Sequence, residues 1–279
     1  MQHGRAKSLR RTALAGALLV LIVARTVTLA ATQDCEPTLA KLRSGGRPLV
    51  VGGVSDFGPF TLVAKDGRLT GMDRDIMRAA GERLGIKKIE FKTMPFSRLG
   101  PSLLDGTIDL IANNYWITPD RERLYAFTRP YYVRGGVGSL WLAETGPFDS
   151  AASMAGKRIA TFKGSYPETW AREHVPRATI IPVDGTSTEL DDTLRSKRAD
   201  LIVGFYSRQK AVARTGSDDA VYRNALLEPM QAAFAVRKGC EELRQAVDGT
   251  LEAMWADGSL NKIKRVYLDP LEIEPAAHP

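Results

Sequence analysis

The stretch ITPDRERLYAFTRPYY, residues 117–132, decides how this chain is read. A helix start lies between two short apolar strands. Thr118 can cap, Pro119 suits the first helical turn, and Asp120 suits the positive end of the helix dipole. Arg121 then falls in the first turn, at the carboxyl end of the preceding strand DLIAN (109–113). Open α/β sheets bind ligands at that end of their strands. A fixed guanidinium there suits a bidentate grip on a carboxylate.

Outward from this stretch, strand-like and helix-like segments alternate, as an α/β fold requires. Strands are expected at 49–52, 88–92, 107–112, 157–161, 179–183 and 200–203. Helices are expected at 74–84, 101–104, 119–124, 167–174, 188–196 and 241–256. Ile76, Ala80 and Leu84 share one helical face, and Gly85 is a stop. KDGR (65–68) reads as a hairpin turn. The sequence shows no internal repeat or low-complexity tract, and EIEPAAHP (272–279) reads as a mobile tail.

Residues 1–30 read as a signal peptide. A basic segment (Arg5, Lys7, Arg10, Arg11) precedes an apolar run, and small residues lead to a cut near Ala30. A membrane anchor is the alternative, but the run is short for a span and Arg25 breaks it. The chain's +7 charge is mostly this segment, which carries five Lys/Arg and no acid. Beyond it, 34 basic face 32 acidic side chains, a net +2, and the argument for a nucleic-acid partner disappears. The 249 residues after position 30 are enough for two modest lobes. Cys35 and Cys240 are the two cysteines. In an oxidising compartment one pair implies one disulfide, two unpaired thiols being the alternative.

Six segments, in order, resemble the family 3 periplasmic solute-binding proteins of ABC importers. WITPDR…AFT…PYY matches the family's (S/T)ITPxR, (D/A)FS and PYY pattern. VGGVSDFGPF (51–60) matches the opening strand and aromatic loop, and GMDRDIMRAAGERLG (71–85) the helix signature, with Met72 and Arg74 departing from it. ATFKGSYPE (160–168), SKRADLIVG (196–204) and the closing AVRKG…LEAMWADGSLNKIKRVYL complete the series, from Leu49 to about Tyr267.

The resemblance implies a type II periplasmic binding protein fold, with two α/β lobes of mixed sheets joined by two hinge strands. Lobe one is expected at 31–130 and 232–279, lobe two at 136–228, and hinges near 131–135 and 228–232, where PYYVRGG and LLEPMQAA resemble the family's crossovers. Both cysteines then belong to lobe one. A periplasmic monomer is implied, serving the membrane permease of an ABC importer.

The resemblance also implies site roles. Arg121 holds the ligand carboxylate, and backbone N–H groups at Ser165 and Tyr166 meet it across the cleft. Phe57 and Phe96 occupy ligand-sandwiching positions, or pack in the core. Asn113 and Asn114 end the central strand, as contacts or as a turn-favouring pair. Phe205 stands where the family places an acid for the ligand ammonium, and Trp116 where it places Ser or Thr. A standard α-amino acid would leave its ammonium unpaired there. Either the ligand lacks a primary ammonium, or Trp116, Tyr166 and Phe205 cage a diffuse cation, or a ring points away from the cleft.

The chain's three histidines, His3, His174 and His278, form no catalytic constellation, and no metal or cofactor is implied. His174 reads as an exposed helix end and Asp191–Asp192 as a solvated face. An enzyme is not expected. The alternatives on the same fold are an accessory partner of a quinoprotein dehydrogenase and a cyclohexadienyl-dehydratase-like enzyme, for which Glu168 is the nearest cleft acid.

Overall fold

The computed structural model describes residues 35–64, 66–215, 221–270 and 273. The signal segment and nearly all of the tail lie outside these residues. The chain forms α1 (Leu39–Ser44), β1 (Leu49–Gly53), a hairpin of β2 (Leu62–Val63) and β3 (Leu69–Thr70), α2 (Met72–Leu84), β4 (Ile89–Thr93), α3 (Phe96–Leu104), β5 (Leu110–Ile111), α4 (Pro119–Leu124) and β6 (Tyr125–Phe127). It crosses into β7 (Tyr132–Leu142), β8 (Arg158–Phe162), α5 (Tyr166–His174), β9 (Thr179–Val183), α6 (Ser187–Arg195), β10 (Leu201–Phe205), α7 (Tyr206–Thr215) and β11 (Tyr222–Ala232). It then returns through β12 (Ala235–Arg237), α8 (Glu241–Ala256) and α9 (Ser259–Tyr267).

Among the described residues these strands make two five-stranded mixed sheets, ordered β4-β1-β5-β12-β6 and β11-β7-β10-β8-β9. In the first, β1 runs parallel to β4 and β5, while β12 is antiparallel to β5 and β6. In the second, β8 runs parallel to β9 and β10, and β7 is antiparallel to β10 and β11. Parallel pairs bury both faces under helices, so these strands are apolar runs such as Leu201–Phe205, buried throughout. The chain passes between the sheets twice. The two passages lie side by side: Tyr131 N–H donates to Ala232 O at 3.0 Å, and the Tyr131 and Phe234 rings stack at 4.4 Å.

Local chemistry sets the helix ends. Thr118 Oγ1 accepts from Arg121 N–H, with Pro119 opening α4 as expected. Thr186 and Glu189 form a reciprocal capping box on α6. Gly71, before α2, has φ +114°, and a Cβ there would stand 2.4 Å from Phe60 O. No other residue fits that position.

Several expectations need correcting. The strand expected at 107–112 shrinks to Leu110–Ile111, because Asp109 leads into it with its side chain engaged: Oδ2 accepts from Val50 N–H (2.9 Å) and Arg47 (2.6 Å). The helix expected from Pro101 begins at Phe96 and runs through the proline. Phe96, Leu99 and Leu103 recur on one buried face, and their burial outweighs the lost backbone donor. Asp192 is exposed, but Asp191 is not a solvated face: it pairs at 2.7 Å with Arg208, which is buried. His174 is the exposed end of α5.

Cys35 and Cys240 form a disulfide with Cα atoms 4.8 Å apart, tying the chain before α1 to the start of α8 across 205 residues. Replacing both by serine is expected to lower unfolding free energy by about 2–5 kcal/mol, since so long a loop loses much closure entropy when cross-linked. Urea unfolding of oxidised wild type and the double variant measures the loss.

Candidate ligand-binding cleft

The carboxyl ends of β1, β5, β8 and β10 converge where the two sheets face each other. The segment after β1 carries Asp56 and Phe57, α3 opens with Phe96, and the segment after β5 carries Asn113, Asn114 and Trp116 before Arg121 on α4. From the second sheet come Phe162 at the end of β8, Ser165 and Tyr166 at the start of α5, and Phe205 at the end of β10.

Five rings meet at the centre. Phe205 lies 4.5 Å from Trp116, 4.7 Å from Phe57 in an edge-on arrangement, 5.5 Å from Phe96 and 6.5 Å from Phe162. All five are buried. Tyr166 reaches the group through Trp116, edge-on at 6.3 Å. Phe57, Phe96, Trp116, Tyr166 and Phe205 are therefore brought together by ring contacts, with Tyr166 at the edge.

Arg121 sits beside this cluster. Its guanidinium lies 3.9 Å from the centre of the Tyr115 ring and 5.8 Å from that of Phe96, and Nη1 donates to Trp116 O at 3.0 Å. Among the described residues no carboxylate pairs with it. Desolvation lowers its pKa, against the opposing influence of Tyr115 and Tyr125. Arg121 borders a cavity of about 240 Å³ that also meets Thr118, Gly164, Ser165, Tyr166 and Glu173. Ser165 caps α5 by accepting from Glu168 N–H at 3.3 Å. Glu168 is itself engaged, accepting from Gly164 N–H (2.8 Å) and pairing with Arg172 (2.7 Å).

The asparagines differ. Asn113 Oδ1 accepts from Val54 N–H at 2.7 Å and joins β5 to the segment after β1. Asn114 has φ +48°, and its backbone N–H donates to Asp73 Oδ2 at 2.6 Å, while its side-chain amide is buried without a partner among the described residues.

Residues that no sequence motif singled out bridge the elements around the candidate cleft. Asp56 reaches across to the start of α6, where Oδ1 accepts from Ser187 N–H (3.0 Å) and Oδ2 from the Thr188 hydroxyl (3.1 Å). Ser97 donates to Asp184 at 2.5 Å in the same sense. Glu228, on β11, accepts from Tyr166 Oη (3.0 Å) and Trp170 Nε1 (2.8 Å). Nothing local in the sequence marks these pairs, which join residues 58 to 132 positions apart. Only Asp73 had a local signal, as the first acidic position of the helix signature that opens at Gly71.

The family model of bacterial extracellular solute-binding proteins, family 3, matches residues 49–270. The chain belongs to this family. It is 27% identical over 259 residues to the L-cystine-binding protein TcyJ of Escherichia coli (strain K12), covering 93% of this chain and 96% of that protein. Among solved structures, an ancestral arginine-binding protein bound to arginine superposes with TM-score 0.75 at 27% identity, over 80% of this chain and 98% of that one. An ancestral amino acid-binding protein, AncCDT-1, a precursor of cyclohexadienyl dehydratase, gives the same score and identity over 83% and 99%. These neighbours share the type II periplasmic binding protein fold, and the family's members and these relatives are binding proteins. Among the described residues no helix is long and apolar enough to cross a membrane.

Asp73 supports this family's cleft from beneath. It is fully buried, and desolvation lifts its pKa to about 7, although the Asn114 N–H bond and the Arg74 charge pull it down. The folded value exceeds the ordinary 3.8, so between the two the folded state holds a proton that the unfolded chain has lost. Stability from this group is greatest below the ordinary value and falls as pH rises through about 7. Asp73→Asn cannot ionise. It is expected to raise unfolding free energy by about 1–3 kcal/mol on the alkaline side, with little change in acid, where Asp73 is itself neutral. Urea midpoints of both proteins at acidic and alkaline pH check the sign.

Proposed function

We propose that this protein captures a small carboxylate-bearing solute in the periplasm and presents it to the permease of an ABC importer. The observation that carries the reading is Arg121: a desolvated guanidinium, without a carboxylate partner among the described residues, on the border of a cavity. A ligand carboxylate would supply the missing charge, and the start of α5 at Ser165 and Tyr166 would offer backbone N–H groups from the other side. The lobes divide near 131–135 and 228–232, and these paired strands bend as the cleft opens.

The amino pole is altered. The neighbours of Phe205 at the cleft centre are rings, and an ammonium placed among them would find no acid. Standard α-amino acids held in the family's usual way are therefore poor ligands here. The 4.7 Å contact between Phe57 and Phe205 also favours a second reading, in which the cleft is filled by the chain itself and the protein serves as an accessory partner of a periplasmic dehydrogenase. A thermal-shift screen of the mature chain with carboxylates separates the two, since a ligand at a hundredfold excess over its dissociation constant adds about 2.7 kcal/mol.

Arg121→Ala is expected to cost about 2–5 kcal/mol of binding to any carboxylate found in that screen, with the fold intact. Titration calorimetry with circular dichroism measures both. Affinity within a few-fold of wild type would remove Arg121 from the carboxylate role.

A further inference from the structure

The cavity beside Arg121 has a second charged border. Tyr166, Thr169 and Glu173 all line it, and their i, i+3, i+7 spacing puts them on one face of α5. Asp120 also lines it but is paired with Arg123, and Glu168 on the same helix is paired with Arg172. Glu173 has no basic partner among the described residues, and its negative charge reaches the Tyr166 hydroxyl. One cavity thus presents a guanidinium and a carboxylate that pair neither with each other nor with another described side chain.

The helix sets how far Glu173 lies from the start of α5. Seven residues of α-helix rise about 10 Å, so Glu173 stands roughly that far along the axis from the Ser165–Tyr166 end. The Tyr166 ring between them is held by the bond from its hydroxyl to Glu228 on the crossover strand. A ligand lying along this face would put opposite charges at opposite ends, away from the apolar ground around Phe205.

We propose that the cavity selects zwitterions with terminal, separated charges, the carboxylate on Arg121 and the cationic group on Glu173. This rests on the reading that Arg121 holds a ligand carboxylate. It moves the cation site from the strand position occupied by Phe205 to the last turn of α5, and it favours ω-amino carboxylates over α-amino acids.

The probes are 6-aminohexanoate and hexanoate, which share a six-carbon chain and differ only by the terminal ammonium. Titration calorimetry of the mature chain at low salt should show 6-aminohexanoate binding about fivefold tighter, the upper end for a solvent-accessible ion pair. In Glu173→Gln the ratio should fall to near one, and raising the salt should shrink it in wild type. Arg121→Ala should weaken both probes. Equal affinities in wild type, or a preference that survives in Glu173→Gln, would overturn the cation site while leaving the carboxylate reading in place. Binding of both probes undiminished in Arg121→Ala would overturn the carboxylate reading itself. If neither probe binds at millimolar concentration, both fall.

Discussion

The site depends on holding one half-buried guanidinium at a cavity wall without a carboxylate partner among the described residues. Removing such a charge from water costs several kcal/mol even after relaxation. The chain offsets part of this. The Tyr115 ring 3.9 Å away contributes about 2 kcal/mol as a desolvated cation–π contact. The bond to Trp116 O adds about 1.5–3 kcal/mol, as hydrogen bonds from charged groups do. In the proposed reading, the remaining imbalance is what a ligand carboxylate would relieve. It persists because the surroundings are rigid: Thr118 and Pro119 fix the first turn of α4, and Trp116 is bridged to Ala232 on the crossover.

Behind this charge stands a second, hidden one. Asp73 holds the Asn114 N–H from below, and Asn114 leads directly into Tyr115 and Trp116, the two residues that touch the guanidinium. A buried carboxylate with little solvation is costly. Here its hydrogen bond keeps the chain at the positive φ of Asn114, and that turn sets how the strand end is aimed at the cleft. Stability and site geometry therefore draw on the same bond.

What the sequence revealed follows from the range of each interaction. The Thr118-Pro119 helix start, the hairpin around 65–68 and α8 are governed by neighbours within a turn, and the structure has them where periodicity and capping put them. The run YSRQKAVART lacks an apolar stripe, so α7 was not visible. Its buried face is polar: Arg208 bonds to α6 and Gln209 Nε2 donates to Ile202 O on β10. Phe162 was passed over because it ends an ordinary apolar strand, and only the facing sheet makes it part of the ring cluster. Asp56 and Glu228 are unremarkable acids until another element supplies their donors. The residues matched to a family pattern could be named in advance, but the direction of their rings could not.

The rim and the centre of the cleft act differently on closure. Polar bonds at the rim, Asp56 to α6 and Ser97 to Asp184, join the two sheets directly. At the centre the rings of Phe57, Phe96 and Trp116 are already in contact with Phe162 and Phe205. A ligand inserted among these rings would have to replace contacts the chain makes with itself, so its binding would compete with closure. A ligand seated in the cavity at Arg121 displaces none of them. In the proposed reading it adds a charge pair on the Arg121 side and polar contacts at the start of α5, which line the same cavity. In the proposed reading, a ligand at the mouth leaves the ring contacts intact, and the apolar centre is the floor beneath it.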